Sequence, residues 1–133
     1  MEPQDRDAPT PYEMIGGDAG VRALVDRFYD LMDFEADYRE LRLVHGSTLE
    51  SAREKLHLFL SGWLGGPPLY MDRFGHPMLR ARHLPFAIGT LERDQWLACM
   101  GQAMEETNVP AELRRPLQEA FFKTADWMRN KPG

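Results

Sequence analysis

The side chains best placed for chemistry lie between positions 65 and 96. Gly65-Gly66-Pro67 opens this stretch, then Phe74-Gly75-His76-Pro77 and Arg80-Ala81-Arg82-His83-Leu84-Pro85-Phe86, and Glu92-Arg93-Asp94-Gln95-Trp96 closes it. Pro85 disfavours helical geometry at Leu84, so His83 belongs on the last turn of a short helix. Taken alone, an imidazole at a helix end reads as a cap or a solvated cation, because positive charge is favoured there. Arg73, Arg80 and Arg82 crowd the same stretch. They form either a solvated helix face or a clamp for an anionic ligand group.

Other site chemistries find no support. The four histidines, His45, His57, His76 and His83, are not spaced with cysteine partners as a zinc site requires. No helix carries a His-Glu-x-x-His string. Cys99 has no motif that marks a nucleophile and falls on the apolar face of its helix, where a small core residue fits. Gly65-Gly66-Pro67-Pro68 stops a helix rather than opening one, so it is no phosphate cradle.

The 133 residues suit one domain. With 21 acidic and 16 basic side chains the net charge is −5, which argues against a nucleic-acid or anionic-membrane surface. A single cysteine rules out an internal disulfide and suits the cytoplasm. No signal-like segment follows Met1, and no apolar run reaches bilayer length. Residues 1–10 carry little apolar content and are expected to form a flexible extension, with 11–133 as the domain.

The periodicity is helical throughout. Val21, Leu24, Val25, Phe28, Tyr29 and Met32 make one apolar stripe after Gly16-Gly17, with Asp18 as cap. A short helical stretch over 35–43 ends near His45-Gly46. Ser47-Thr48-Leu49-Glu50 fits a capping box for a helix whose stripe is Leu49, Ala52, Leu56, Phe59 and Trp63. His57 turns off that stripe toward solvent. Residues 69–77 read as a loop and 77–84 as a short helix. Thr90 can cap a helix carrying Trp96, Cys99, Met100 and Ala103. Pro110 fits the first turn of a last helix, striped by Leu113, Leu117, Ala120, Phe121, Thr124 and Trp127/Met128. Two antiparallel pairs follow: 18–33 with 47–64, and 90–107 with 110–129.

The Arg82-His83-Leu84-Pro85-Phe86 string, Trp96 thirteen residues beyond His83, and the two long helix pairs resemble a group II truncated haemoglobin over about residues 11–130. The resemblance implies an all-α, two-over-two helical sandwich enclosing a haem b. His83 is then the iron ligand, its second ring nitrogen donating to a backbone carbonyl or water. Arg82 and Lys55 are implied to hold the haem propionates, helped by Tyr70 and His76. Leu56, Phe59, Leu79, Phe86, Met100 and Trp96 wall the group.

On the distal side the resemblance places Tyr29, His45, Ala52, Leu56 and Trp96. A methyl group at Ala52 donates no hydrogen bond and leaves an open approach, so donors must come from elsewhere; the resemblance implies the Trp96 indole N–H, and the Tyr29 hydroxyl is a further one on offer. Core filling for Trp96 and a backbone partner for Tyr29 are the plain alternatives. The implied function is reversible binding of dioxygen, carbon monoxide or nitric oxide, with slow oxygen release. The alternative is a nitric oxide dioxygenase or peroxidase-like enzyme, which would need an external reductase. A monomer or a homodimer is compatible with either.

Overall fold

The architecture rests on one apolar stripe that two helix pairs share. In the computed structural model, which describes residues 8–132, the order is α1 (Pro11–Ile15), α2 (Gly17–Phe34), a 3-10 turn (Ala36–Tyr38), α3 (Arg39–Leu43), α4 (Glu50–Trp63), α5 (Leu69–Phe74), α6 (Leu79–His83), α7 (Thr90–Glu106) and α8 (Ala111–Trp127). No strand occurs among the described residues. None of the described helices is long and apolar enough to cross a membrane.

Val21, Leu24, Val25, Phe28, Leu31 and Met32 on α2 are buried, and α2 contacts both α4 and α7. Cross-helix bonds show both pairs to be antiparallel. Asp18 meets His57 and Asp26 meets Arg53, so early α2 lies beside late α4. Arg93 meets Asp126 and Arg114 meets Glu105, which sets α7 against α8 in the same sense. This is the two-over-two sandwich that the resemblance implies.

The expected extension over 1–10 falls mostly on residues 1–7, outside the described residues. Thr10 is the N-cap of α1: its hydroxyl accepts from the Glu13 N–H, and the Glu13 carboxylate accepts from the Thr10 N–H. With Pro11 at the first helical position, this is a capping box with its own sequence signature. Gly16, at φ 115°, turns the chain from α1 into α2.

Several local expectations are corrected. Asp18 does not cap α2; Gly16 holds that position, and the Asp18 carboxylate accepts instead from His57 Nε2 at 2.8 Å. His57 is therefore not solvent-facing but 4% exposed. The side of α4 that meets α2 carries His57, Leu60, Ser61 and Leu64, all buried, whereas Ala52, Leu56, Phe59 and Trp63 are only half-buried. The Ser47–Glu50 capping box does not form. Arg42 donates to the carbonyls of Gly46 and Ser47, which holds that turn out of the helix, and α4 starts after Leu49. The 69–77 loop contains α5, which starts after Pro68 at no loss of a helical N–H and buries Tyr70 against Phe59. Gly89, not Thr90, caps α7, its N–H donating to Glu92. Pro110 is the N-cap of α8 rather than part of its first turn. Ala125 continues the α8 stripe after Phe121, leaving Trp127 63% exposed.

The corner between α1 and α2 leaves no room at Gly20: a Cβ there would run into the Ile15 carbonyl and its Cγ2. Gly20→Ala should therefore destabilise the protein by about 1–3 kcal/mol, the usual range for overpacking, despite alanine's better helix propensity. Denaturant unfolding checks this, and an unchanged or raised midpoint would contradict the close approach.

Candidate functional site

The candidate site is built from the half-buried face of α4, the segment from α5 to α6, and the ends of α2, α3 and α7 nearest them. α6 is a single turn, entered through Met78 in the left-handed region (φ 49°) and followed by Leu84-Pro85. His76 Nδ1 accepts from the Met78 N–H at 3.1 Å and steadies that entry. At the end of the turn, His83 Nδ1–H donates to the Leu79 carbonyl at 2.7 Å. A carbonyl can only accept, so this bond sets the tautomer and leaves the Nε2 lone pair available as a ligand.

Among the described residues, no three His, Cys, Asp or Glu side chains converge to hold an ion. A metal on His83 would therefore have to bring its other ligands with it, as an iron in a planar macrocycle does. The surroundings fit such a group. Met71, Phe74, Met78, Leu84 and Phe86 are large apolar side chains left exposed on the 71–86 segment, and the Phe86 ring lies 6.5 Å from the His83 ring. Leu79 is half-buried beside them. Ala52, Leu56 and Phe59 on α4 and Trp96 on α7 are half-buried against the core, while Met100 is fully enclosed one turn beyond Trp96. Apolar surface left uncovered to this extent marks a binding region.

The three arginines do not act as one clamp. Arg73 pairs with Glu54 at 3.4 Å, and Arg80 reaches the carbonyls at the end of α8. Arg82 stays exposed, with Nε donating to the Pro77 carbonyl at 2.9 Å. Lys55 is exposed with its ammonium 5.9 Å from the Phe74 ring centroid, and Tyr70 is buried beside that ring.

Tyr29 and His45 meet with ring centroids 6.0 Å apart. His45 Nδ1–H donates to the Leu41 carbonyl at 3.0 Å, the same arrangement as at His83. Gln95 fixes α3 to α7 by accepting from the Leu41 N–H and donating to Glu40, which places that carbonyl. Burial lowers the pKa of His45 against the pull of the Leu41 carbonyl, and the charges of Arg42 and His83 add to the lowering. Burial raises the Tyr29 phenol well above its ordinary range, with Arg53 opposing, so the hydroxyl stays a donor. The Trp96 ring packs edge-on to Phe28 and Phe121, at 5.2 and 5.3 Å. Neither the Tyr29 hydroxyl nor the Trp96 N–H has a hydrogen-bond partner among the described residues, and neither is among the sealed polar atoms, which are His57 Nδ1 and Gln118 Oε1.

Arg53 escaped the sequence reading. Next to Ala52, it bridges Asp26 and Asp30 and lies 5.7 Å from the Tyr29 ring centroid. The signal for it was the i,i+4 acid pair on α2 opposite a single arginine.

Cys99 is the small core residue expected of it. It is 0% exposed, its thiol donates to the Phe28 carbonyl at 3.2 Å, and burial pushes its pKa up to about 12. At pH 8 it should resist a thiol reagent such as Ellman's until the protein unfolds; rapid labelling of the native chain would contradict this burial.

The sequence pattern of the family described as "Bacterial-like globin" matches residues 10–130. The chain is 42% identical over 121 residues to the group 2 truncated hemoglobin YjbI of Bacillus subtilis (strain 168), covering 91% of this chain and 89% of that one. Among solved structures, the group II 2-on-2 hemoglobin of Agrobacterium tumefaciens matches with TM-score 0.90 and 44% identity, over 95% of this chain and 97% of its own. A Bacillus subtilis haemoglobin described as truncated and oxygen-avid matches with TM-score 0.83 and 41% identity, over 92% of this chain and 100% of its own.

Proposed function

The chain belongs to the bacterial-like globin family, among the group II truncated haemoglobins, and on that premise we propose that it holds haem b through His83 and binds dioxygen reversibly. Carbon monoxide and nitric oxide are ligands of the same site. The observation that carries this reading is the Leu79–His83 hydrogen bond, which presents a lone pair at Nε2 beside uncovered apolar side chains. When bound, the haem supplies an iron that takes up diatomic gases without net chemistry.

The chain's own residues do the rest. The Leu79 carbonyl makes His83 a better electron donor by accepting a hydrogen bond from its Nδ1–H. Arg82 and Lys55 offer cationic groups for the two propionates, with Tyr70 and His76 beside them. Leu56, Phe59, Leu79, Phe86, Met100 and Trp96 keep water away and lower the local dielectric. The Tyr29 hydroxyl and the Trp96 N–H donate to a ligand that gains negative charge on binding, and His45 backs the Tyr29 ring. Ala52 leaves a short route for the ligand past α4. Strong donation of this kind favours slow oxygen release, and the relative described as oxygen-avid supports that reading.

Haemin titrated into the purified chain should give a visible histidine-ligated spectrum at one haem per chain, and His83→Ala should weaken or abolish it. A chain that ignores haemin would refute the function, and an unchanged ferrous spectrum in the variant would refute the ligand. Trp96→Phe should speed dioxygen release roughly tenfold to a hundredfold, from the ~1.5–3 kcal/mol of a charge-assisted hydrogen bond, and carbon monoxide release far less. Equal small changes for the two gases would leave Trp96 as packing alone.

A further inference from the structure

The histidine assigned to the iron sits on the least supported helix of the protein. α6 has five residues, none of them buried, and it stands apart from the packed helix pairs. A helix of one turn does not hold itself together. Pro85 removes a further backbone donor just beyond it. Something outside α6 must set the position of His83.

The tail after α8 supplies it. The Asp126 carboxylate accepts from Arg93 and from Arg129, each at 2.7 Å, which fixes the last turn of α8 to the start of α7. The chain then lays Asn130 over the turn that follows His83. The Asn130 backbone N–H donates to the Ile88 carbonyl at 2.8 Å, and the Lys131 N–H donates to the same oxygen at 3.1 Å. The Asn130 side chain uses both of its ends: Oδ1 accepts from the Ile88 N–H at 3.0 Å, while Nδ2 donates to the Phe86 carbonyl at 2.7 Å and to the carbonyl of His83 itself at 3.2 Å. From the other direction, Arg80 on α6 donates to the carbonyls of Trp127 and Arg129 and lies 5.3 Å from the Trp127 ring centroid. α6 and the tail thus hold each other at two points, one residue of α6 on each side.

We propose that Asn130 is a positioning residue for the iron ligand: its side-chain amide ties the backbone at His83, Phe86 and Ile88 to the end of α8 and so sets the orientation of the His83 ring and the retention of haem. An asparagine suits this task because one planar group offers an acceptor to the Ile88 N–H and two donors to the carbonyls of Phe86 and His83, the latter also accepting from the Phe86 N–H at 3.0 Å. The proposal rests on the assignment of His83 as ligand.

Three measurements on Asn130→Ala and Asn130→Asp test it. The aspartate is nearly isosteric and keeps the bond from the Ile88 N–H, but it replaces both donors with an oxygen facing two carbonyls. In the haem-free chain, amide hydrogen exchange over residues 79–88 should quicken in both variants while the amides of α2, α4 and α7 keep their protection. In the haemin-loaded chain, haem loss to an excess of a haem-scavenging apoglobin should be about tenfold faster, the effect of roughly one to two lost hydrogen bonds. In the reduced, gas-free protein, the iron–histidine stretching band should shift or broaden in the resonance Raman spectrum. An unchanged band and unchanged haem loss in both variants would overturn the proposal even if 79–88 exchanges faster, because Asn130 would then only steady the tail. Wild-type behaviour of Asn130→Asp would overturn it too, because the donors to His83 and Phe86 would then be idle. Haemin uptake by the unaltered chain separately tests the ligand reading beneath it.

Discussion

One stripe of α2 has to serve as core for both layers of this protein, and the rest of the structure follows from that constraint. Val21, Leu24, Val25, Phe28, Leu31 and Met32 are at most 2% exposed. Each such side chain contributes about 1.5–3 kcal/mol relative to exposure. α2 makes these contacts with α4 on one side and α7 on the other. Tyr29 rides on the same helix beside Phe28, so the element that holds the layers together also carries a residue of the candidate site.

The segment between α4 and α7 has apolar residues of its own, but most of them find no core to pack against. That segment is held by local devices instead. α5 is pinned by Tyr70 between Phe59 and Phe74. His76 steadies the entry to α6, and the Leu79 carbonyl orients His83. The α4 face turned toward this segment stays half-buried, and the apolar side chains of 71–86 stay exposed. The fold thus leaves a half-buried α4 face and a loosely supported segment with uncovered apolar side chains, surroundings that suit a flat apolar cofactor.

Polar bonds set the register of the pairs more than they set stability. Arg53 bridges Asp26 and Asp30, Arg27 pairs with Glu106, and Arg93 joins Asp126. Most of these carboxylates are substantially exposed, where an ion pair contributes at most about 1 kcal/mol. Their value is positional. A one-turn slip of α4 along α2 would break Asp18–His57 and both Arg53 ion pairs together.

The sequence by itself determined what a few adjacent turns can encode. The two long helix pairs follow from apolar residues recurring at three and four positions. His83 at a helix end follows from Pro85, whose ring constrains the residue before it. The family was legible because its string of residues around His83 is contiguous. Tertiary structure decided which flank of each helix is covered. His57 was read as solvated because it lies off the apolar stripe of α4, yet α2 covers it through Asp18, 39 positions away in sequence. The Ser47 box lost its place to Arg42, which held the turn elsewhere. Asn130, 47 positions from His83, carried no local signal at all. Periodicity reports which residues of a helix share a face. It holds no information about which neighbour arrives to bury that face, because that depends on contacts between segments far apart in the chain.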